Sequence, residues 1–154
     1  MNDSLRNASE ELKRADHLIY VSLKYTRTVD VIKSILERFV TAYDLMMKAL
    51  LEKKVEEKII DSIPDSPIER ANAVLSLYGN KDKVKENIDL YLLMRKIIKA
   101  EIKSLQEFRR HVTMIAKLNE GTEVYIDIDK IYEYNRIIKD FFIFTSAMEE
   151  ETND

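Results

Sequence analysis

The stretch YTRTVDVIKSILERFVTAYDLMMKALL, residues 25–51, decides the fold class. From Tyr25 its large apolar residues fall at Val29, Ile32, Leu36, Phe39, Tyr43, Met46 and Leu50, in alternating steps of four and three. That is the spacing of one helix face. Ile19, Leu23, Ile35, Val40, Met47 and Leu51 widen the face. A face this wide belongs to a helix buried in a bundle rather than to a two-stranded coiled coil.

Outward from this stretch, backbone punctuation is scarce. The chain has 154 residues and four glycines and prolines, namely Pro64, Pro67, Gly79 and Gly121. Long intervals without them favour long helices. The first predicted helix covers residues 9–61, starting at Ser9 with Glu10 and Glu11 in its first turn. It would be about 78 Å long at 1.5 Å per residue. A break, if present, belongs at Thr26-Arg27-Thr28, where Thr28 would cap a new helix with Asp30 in its first turn. The seam crosses this point in phase, which predicts a continuous helix through at least residue 52.

Ser66-Pro67-Ile68-Glu69 predicts a second, short helix with a serine cap, proline at its first position and a capping box. It ends at Gly79 in the left-handed conformation. A third helix is predicted over residues 81–118, with Val84, Ile88, Tyr91, Met94, Ile98, Ile102, Leu105, Phe108, Val112 and Ile115 on its apolar face. Residues 122–126 are β-rich but lack an evident partner, which predicts an extended connection. Asp127 caps a last helix over 128–148, with Asp129 in its first turn and Ile126 stapled onto Ile131. The expected architecture is an all-α, up-and-down bundle of two long helices, one short helix and a medium C-terminal helix. Residues 1–148 form one domain, and 149–154 an acidic disordered tail.

Composition excludes several functions. Cysteine is absent, which removes disulfides, thiol catalysis and thiolate metal sites. No apolar run approaches the ~20 residues of a membrane span. The N-terminus shows no basic start followed by an apolar core, so a cytoplasmic protein is expected. Two distant glycines cannot build a phosphate loop. Neither His17 nor His111 follows a glutamate by three residues, as di-iron bundles require. Glu107 and His111 are one helical turn apart, but two ligands do not make a metal site. Asp127 and Asp129 are explained by capping without a metal. No cofactor and no metal are expected.

The candidate binding residues are Lys96, Lys99, Lys103, Arg110 and Lys117, spaced 3, 4, 7 and 7 along the predicted 81–118 helix. That interval holds ten Lys and Arg against five Asp and Glu. The strip is read as a solvated face answered by acidic neighbours. The sharper reading is a docking strip for RNA or an acidic protein. The first is preferred because aromatic residues do not interleave the strip and the net charge is −3. His111 is the one catalytic candidate, as a general base beside Arg109 and Arg110. Its spacing from Phe108 and Ile115 predicts a partly buried structural role instead.

In size, helical content and long antiparallel helices, the chain resembles the small helical HEPN families. Members that cleave RNA carry Arg, four to six residues, then His. Here Ser104, Leu105 and Gln106 precede His111 at those positions, and Glu10, Glu11 and Leu12 precede His17. The resemblance is therefore one of architecture and implies no cleavage. The expected function is a non-enzymatic helical interaction module, self-associating as a homodimer because two very long apolar helices need covering. The alternative is an RNA-associated protein or HEPN-like ribonuclease using the basic strip.

Overall fold

A computed structural model describes residues 2–151. Five helices surround one core, and a small three-stranded antiparallel sheet lies between the fourth and fifth. Helix α1 begins at Asp3, six residues before the expected start, because the Asn2 side chain accepts a bond from the Leu5 N–H at 2.8 Å. It runs as an α-helix over Asp3–His17, widens into a π-helical turn over Leu18–Ser22, and closes at Leu23–Tyr25. In the widened turn the Leu23 N–H reaches back to the Leu18 carbonyl.

The expected continuous helix through residue 52 is broken at Thr26, whose φ and ψ are −132° and 89°. Thr28 caps the next helix through Oγ1, which accepts from the Val31 N–H at 3.3 Å. The break lets α2 (Val29–Glu56) run back along α1. Ser4 Oγ donates to Glu52 Oε1 at 2.6 Å, and Arg38 Nη1 donates to Glu11 Oε2 at 3.1 Å, so the pair is antiparallel. The seam does not cross the break in phase: Tyr25 is exposed, and the face that α1 buries runs through Leu12, Ala15, Ile19 and Leu23.

Helix α2 is the axis of the molecule. Ile32, Ile35, Leu36, Phe39, Tyr43, Met46, Met47, Leu50 and Leu51 are fully buried. Helices α1, α3 (Pro67–Tyr78), α4 (Asp82–Lys99) and α5 (Ile128–Glu150) all pack on it. The wide seam is thus covered within one chain, which removes the reason given above for a second copy.

Ser66 caps α3 as predicted, its Oγ accepting from the Glu69 N–H at 3.1 Å. Gly79 differs from expectation. Its φ is −71°, in the right-handed region, and glycine is needed there for space: a Cβ would lie 2.1 Å from the Leu75 carbonyl oxygen.

The largest correction concerns residues 81–118. The helix stops at Lys99, and Ala100 turns extended with ψ 162°. Strand β1 (Glu101–Leu105) pairs with β2 (Thr113–Lys117), and β2 with β3 (Glu123–Ile126). Val112, Met114, Ala116 and Leu118, at every second position, are buried on the inner face, and Ile115 on the outer row is buried as well. On the outer row Lys117 lies opposite Glu101 on one side and Glu123 on the other, a favourable charge order. Residues 123–126 therefore do have a partner, and the all-α expectation becomes a mostly helical fold with a small sheet.

Asp127 caps α5 as predicted, accepting from the Lys130 N–H at 2.8 Å. The helix extends through Glu150, so the first two residues of the expected tail are helical, and residues 152–154 lie outside the described chain. No helix among the described residues is long and apolar enough to cross a membrane.

Candidate functional site

The turn between β1 and β2 shapes one end of the molecule. Gln106 and Phe108 both adopt left-handed backbone conformations, with φ of 53° and 65°. Glycine or asparagine is usual there; a phenylalanine is strained by roughly 1–2 kcal/mol. The Phe108 N–H donates to the Arg27 carbonyl oxygen at 2.6 Å, which ties the turn to the break between α1 and α2. Phe108 is nevertheless 75% exposed.

Two adjoining grooves open at this end. The first, about 360 Å³, is lined by Ile19, Tyr20, Leu23, Lys24, Arg27, Ile128 and Tyr132. The second, about 370 Å³, is lined by Arg27, Arg110, His111, Asp127, Ile128, Asp129 and Tyr132. Arg27, Ile128 and Tyr132 belong to both. Each groove falls in the size range of a small-ligand site. The Tyr20 and Tyr132 rings stack with centroids 5.9 Å apart and planes 13° from parallel. Tyr20 is 54% exposed and Tyr132 42%. Tyr20 stands on the π-helical turn of α1, a geometry that recurs at functional sites. Tyr25, two residues before Arg27, is also exposed.

Charge at this end is mixed but incompletely matched. Lys24, Arg27 and Arg110 form no ion pair among the described residues. The Arg27 Nε is buried and has no hydrogen-bond partner among the described residues, an unfavourable state for a donor on a charged group. Asp127 and Asp129 supply acceptors on the α5 side, one oxygen of Asp127 being occupied by its cap.

The structure divides the residues singled out from sequence. Lys96, Lys99 and Lys117 come together around a small cleft of about 160 Å³, with Ala100, Leu118, Asn119 and Glu120. Lys103 stands on the outer row of β1, opposite Ile115. Arg110 and His111 lie at the other end of β2, in the groove with Arg27. The five cations therefore do not share one face, because the helix that would have aligned them ends at Lys99. His111 is exposed rather than half-buried. Its carbonyl accepts from Thr113 Oγ1 at 2.9 Å, and no hydrogen bond joins its ring to Asp127 or Asp129. Glu107 and His111 are on a turn, and no cluster of three His, Cys, Asp or Glu among the described residues is arranged to hold a metal ion.

Sequence reasoning missed Tyr20, Lys24, Arg27, Phe108 and Tyr132 as a group. Tyr20, Lys24 and Arg27 meet Tyr132 where α1 and the break pack against α5, and the turn of β1 onto β2 adds Phe108. The signal for that turn was the alternation of Val112, Met114, Ala116 and Leu118.

Two other regions carry unusual chemistry. A larger cavity, about 710 Å³, lies at the opposite end of α2, lined by Glu52, Glu56, Asp61 and Glu149 among others. Lys53 crosses it to donate to the carbonyls of Glu149, at 2.8 Å, and Glu151. Between α2 and α4, Tyr91 donates to Asp44, and Tyr43 donates to Asn87 Oδ1 at 2.7 Å. Burial raises the Asp44 carboxyl above its ordinary pKa; the Tyr91 hydrogen bond and the charges of Arg95 and Arg70 oppose the shift. Burial also raises the Tyr43 and Tyr91 hydroxyls. The Tyr91–Asp44 and Tyr43–Asn87 bonds join α2 to α4.

No protein-family model matches this sequence, and comparison with curated proteins and with solved structures finds no similar chain.

Proposed function

We propose that this protein is a non-enzymatic binding module, working as a single folded chain, whose contact surface is the end formed by the α1–α2 break, the β1–β2 turn and the start of α5. The observation that carries the reading is Phe108. An aromatic ring held in solvent by a strained backbone contributes little to the core and costs stability. Such strain persists where it serves a contact. The neighbouring Tyr20–Tyr132 stack and the cations Arg27, Lys24 and Arg110 give that contact its chemistry: flat groups to stack and negative charge to neutralise.

A photoreactive side chain placed at position 108 tests this in the cell of origin. Position 143, whose isoleucine is 68% exposed on α5, is the control. Adducts to a macromolecule from 108 and not from 143 are expected. Equal labelling from both, or none from 108, would contradict the reading.

A further inference from the structure

We infer that the partner of this surface is single-stranded RNA, an inference that rests on the contact surface proposed above. A single strand offers two things in repeat: unpaired flat bases and phosphates between them. The surface offers both complements. Tyr20 and Tyr132 form an exposed aromatic platform, and Phe108 presents a further ring at the turn. Stacking of bases on such rings is insensitive to sequence and is the usual source of affinity for single strands. Arg27 lies where the two grooves meet, so a strand following both passes its guanidinium. Arg27 forms no ion pair among the described residues, and a phosphate in either groove supplies a counter-charge for its guanidinium. Lys24 in the first groove and Arg110 in the second likewise form no ion pair among the described residues, giving three cations along one path.

The acidic residues decide between RNA and DNA. Asp127 and Asp129 repel phosphate, and in a purely electrostatic site they would be out of place. Ionised carboxylates only accept hydrogen bonds. Each ribose carries a 2′-hydroxyl that can donate, and deoxyribose has none. Asp127 and Asp129 line the same groove as Arg27 and Arg110, so a strand whose phosphates meet these cations brings its sugars beside carboxylate acceptors. A duplex cannot use the platform, because its bases are already stacked on one another.

The test is fluorescence anisotropy on the full chain with a labelled oligouridylate of about ten nucleotides, within the range that single-strand binding folds cover. The same strand annealed to its complement and the matching DNA strand are parallel arms. The RNA strand is expected to bind, with a slope of log K against log salt of roughly −2 for three phosphate contacts. Arg27→Gln should flatten that slope by roughly 0.7. Tyr132→Ala should weaken binding about five-fold or more. Phe108→Gly, which suits the left-handed backbone, should weaken it too and guards against a folding defect at Tyr132. The pair Lys96→Gln and Lys99→Gln, in the separate cleft, should leave binding unchanged.

Equal binding of DNA, tighter binding of duplex, or binding insensitive to Arg27, Tyr132 and Phe108 would overturn the inference. So would no binding at low salt. If RNA fails to bind while position 108 still crosslinks to a protein, the partner class is wrong and the contact surface stands. If both fail, the surface itself is wrong.

Discussion

The Phe108 N–H and the Arg27 carbonyl meet at 2.6 Å, joining a sheet turn to a helix break that lies about eighty residues earlier in the chain. The break leaves the Arg27 carbonyl outside any helix, and the turn supplies its donor. The bond holds Phe108 where its side chain contributes almost nothing to the core.

Phe108→Gly is therefore expected to leave stability unchanged or raise it by up to about 1 kcal/mol, since relief of the left-handed strain is partly offset by the entropy of glycine. Chemical denaturation of both proteins measures this. A loss above 1 kcal/mol would show that the ring packs as a structural member.

Leu36→Ala should cost about 2–5 kcal/mol, because Leu36 is fully buried on the axis helix. Denaturant midpoints report the loss. A change under half a kcal/mol would place the seam in solvent and refute the packing of α2.

Sedimentation at micromolar concentration should show a single 18.1 kDa species. The seam that suggested a dimer is covered by α1, α3, α4 and α5. A dimer broken by Phe108→Gly or Tyr132→Ala would mean that the exposed rings bind a second copy, and would displace the RNA reading.

Asp44 should leave a pH signature. Its pKa is raised in the folded state by burial, so the folded chain holds the proton more tightly than the unfolded one. That contribution to stability is full below the unfolded value near 3.9 and is lost as pH rises through the folded value. Asn at this position keeps an acceptor for Tyr91 and cannot ionise. The melting temperature of Asp44→Asn should rise relative to the unsubstituted chain between about pH 3 and about pH 7. The reverse trend would show that Arg95 and Arg70 outweigh desolvation.

The same logic applies at the alkaline end. Burial raises Tyr43 and Tyr91 and pushes Tyr78 up to about 12. Raised values stabilise the fold below the ordinary tyrosine pKa near 10, and the benefit is lost as pH rises through the folded values. Absorbance from these three phenolates should emerge together with the loss of helical circular dichroism. Their ionisation in a chain that keeps its helices would contradict their burial.

Much of the helical frame was legible because its signals are local. Thr28, Ser66 and Asp127 cap helices where their side chains predict, and the α2 seam is buried along its length. The start of α1 was displaced because Asn2 caps the helix well before Ser9, which lies inside it. The sheet was hidden for a definite reason. Its first turn uses Gln106 and Phe108 at positive φ, where glycine or asparagine ordinarily announces a hairpin. With no breaker, Ile98, Ile102, Leu105 and Val112 fitted a helix face that ends at Lys99. The site was illegible for the same reason: a helix through residue 108 carries its ring far from Arg27.

The pairing of β1 with β2 is thus the step on which the binding surface depends, and it can be measured directly. The chain has no cysteine, so Glu101→Cys with Lys117→Cys introduces the only two thiols. As register partners their Cα atoms lie about 4.5–5.5 Å apart, within reach of a disulfide. In a continuous helix they would be about 24 Å apart. Mild oxidation of the folded monomer should close an intrachain disulfide readily, with RNA binding retained. Failure to close it, with a spin-label distance near 24 Å at the same two positions, would contradict the sheet and the site built on it.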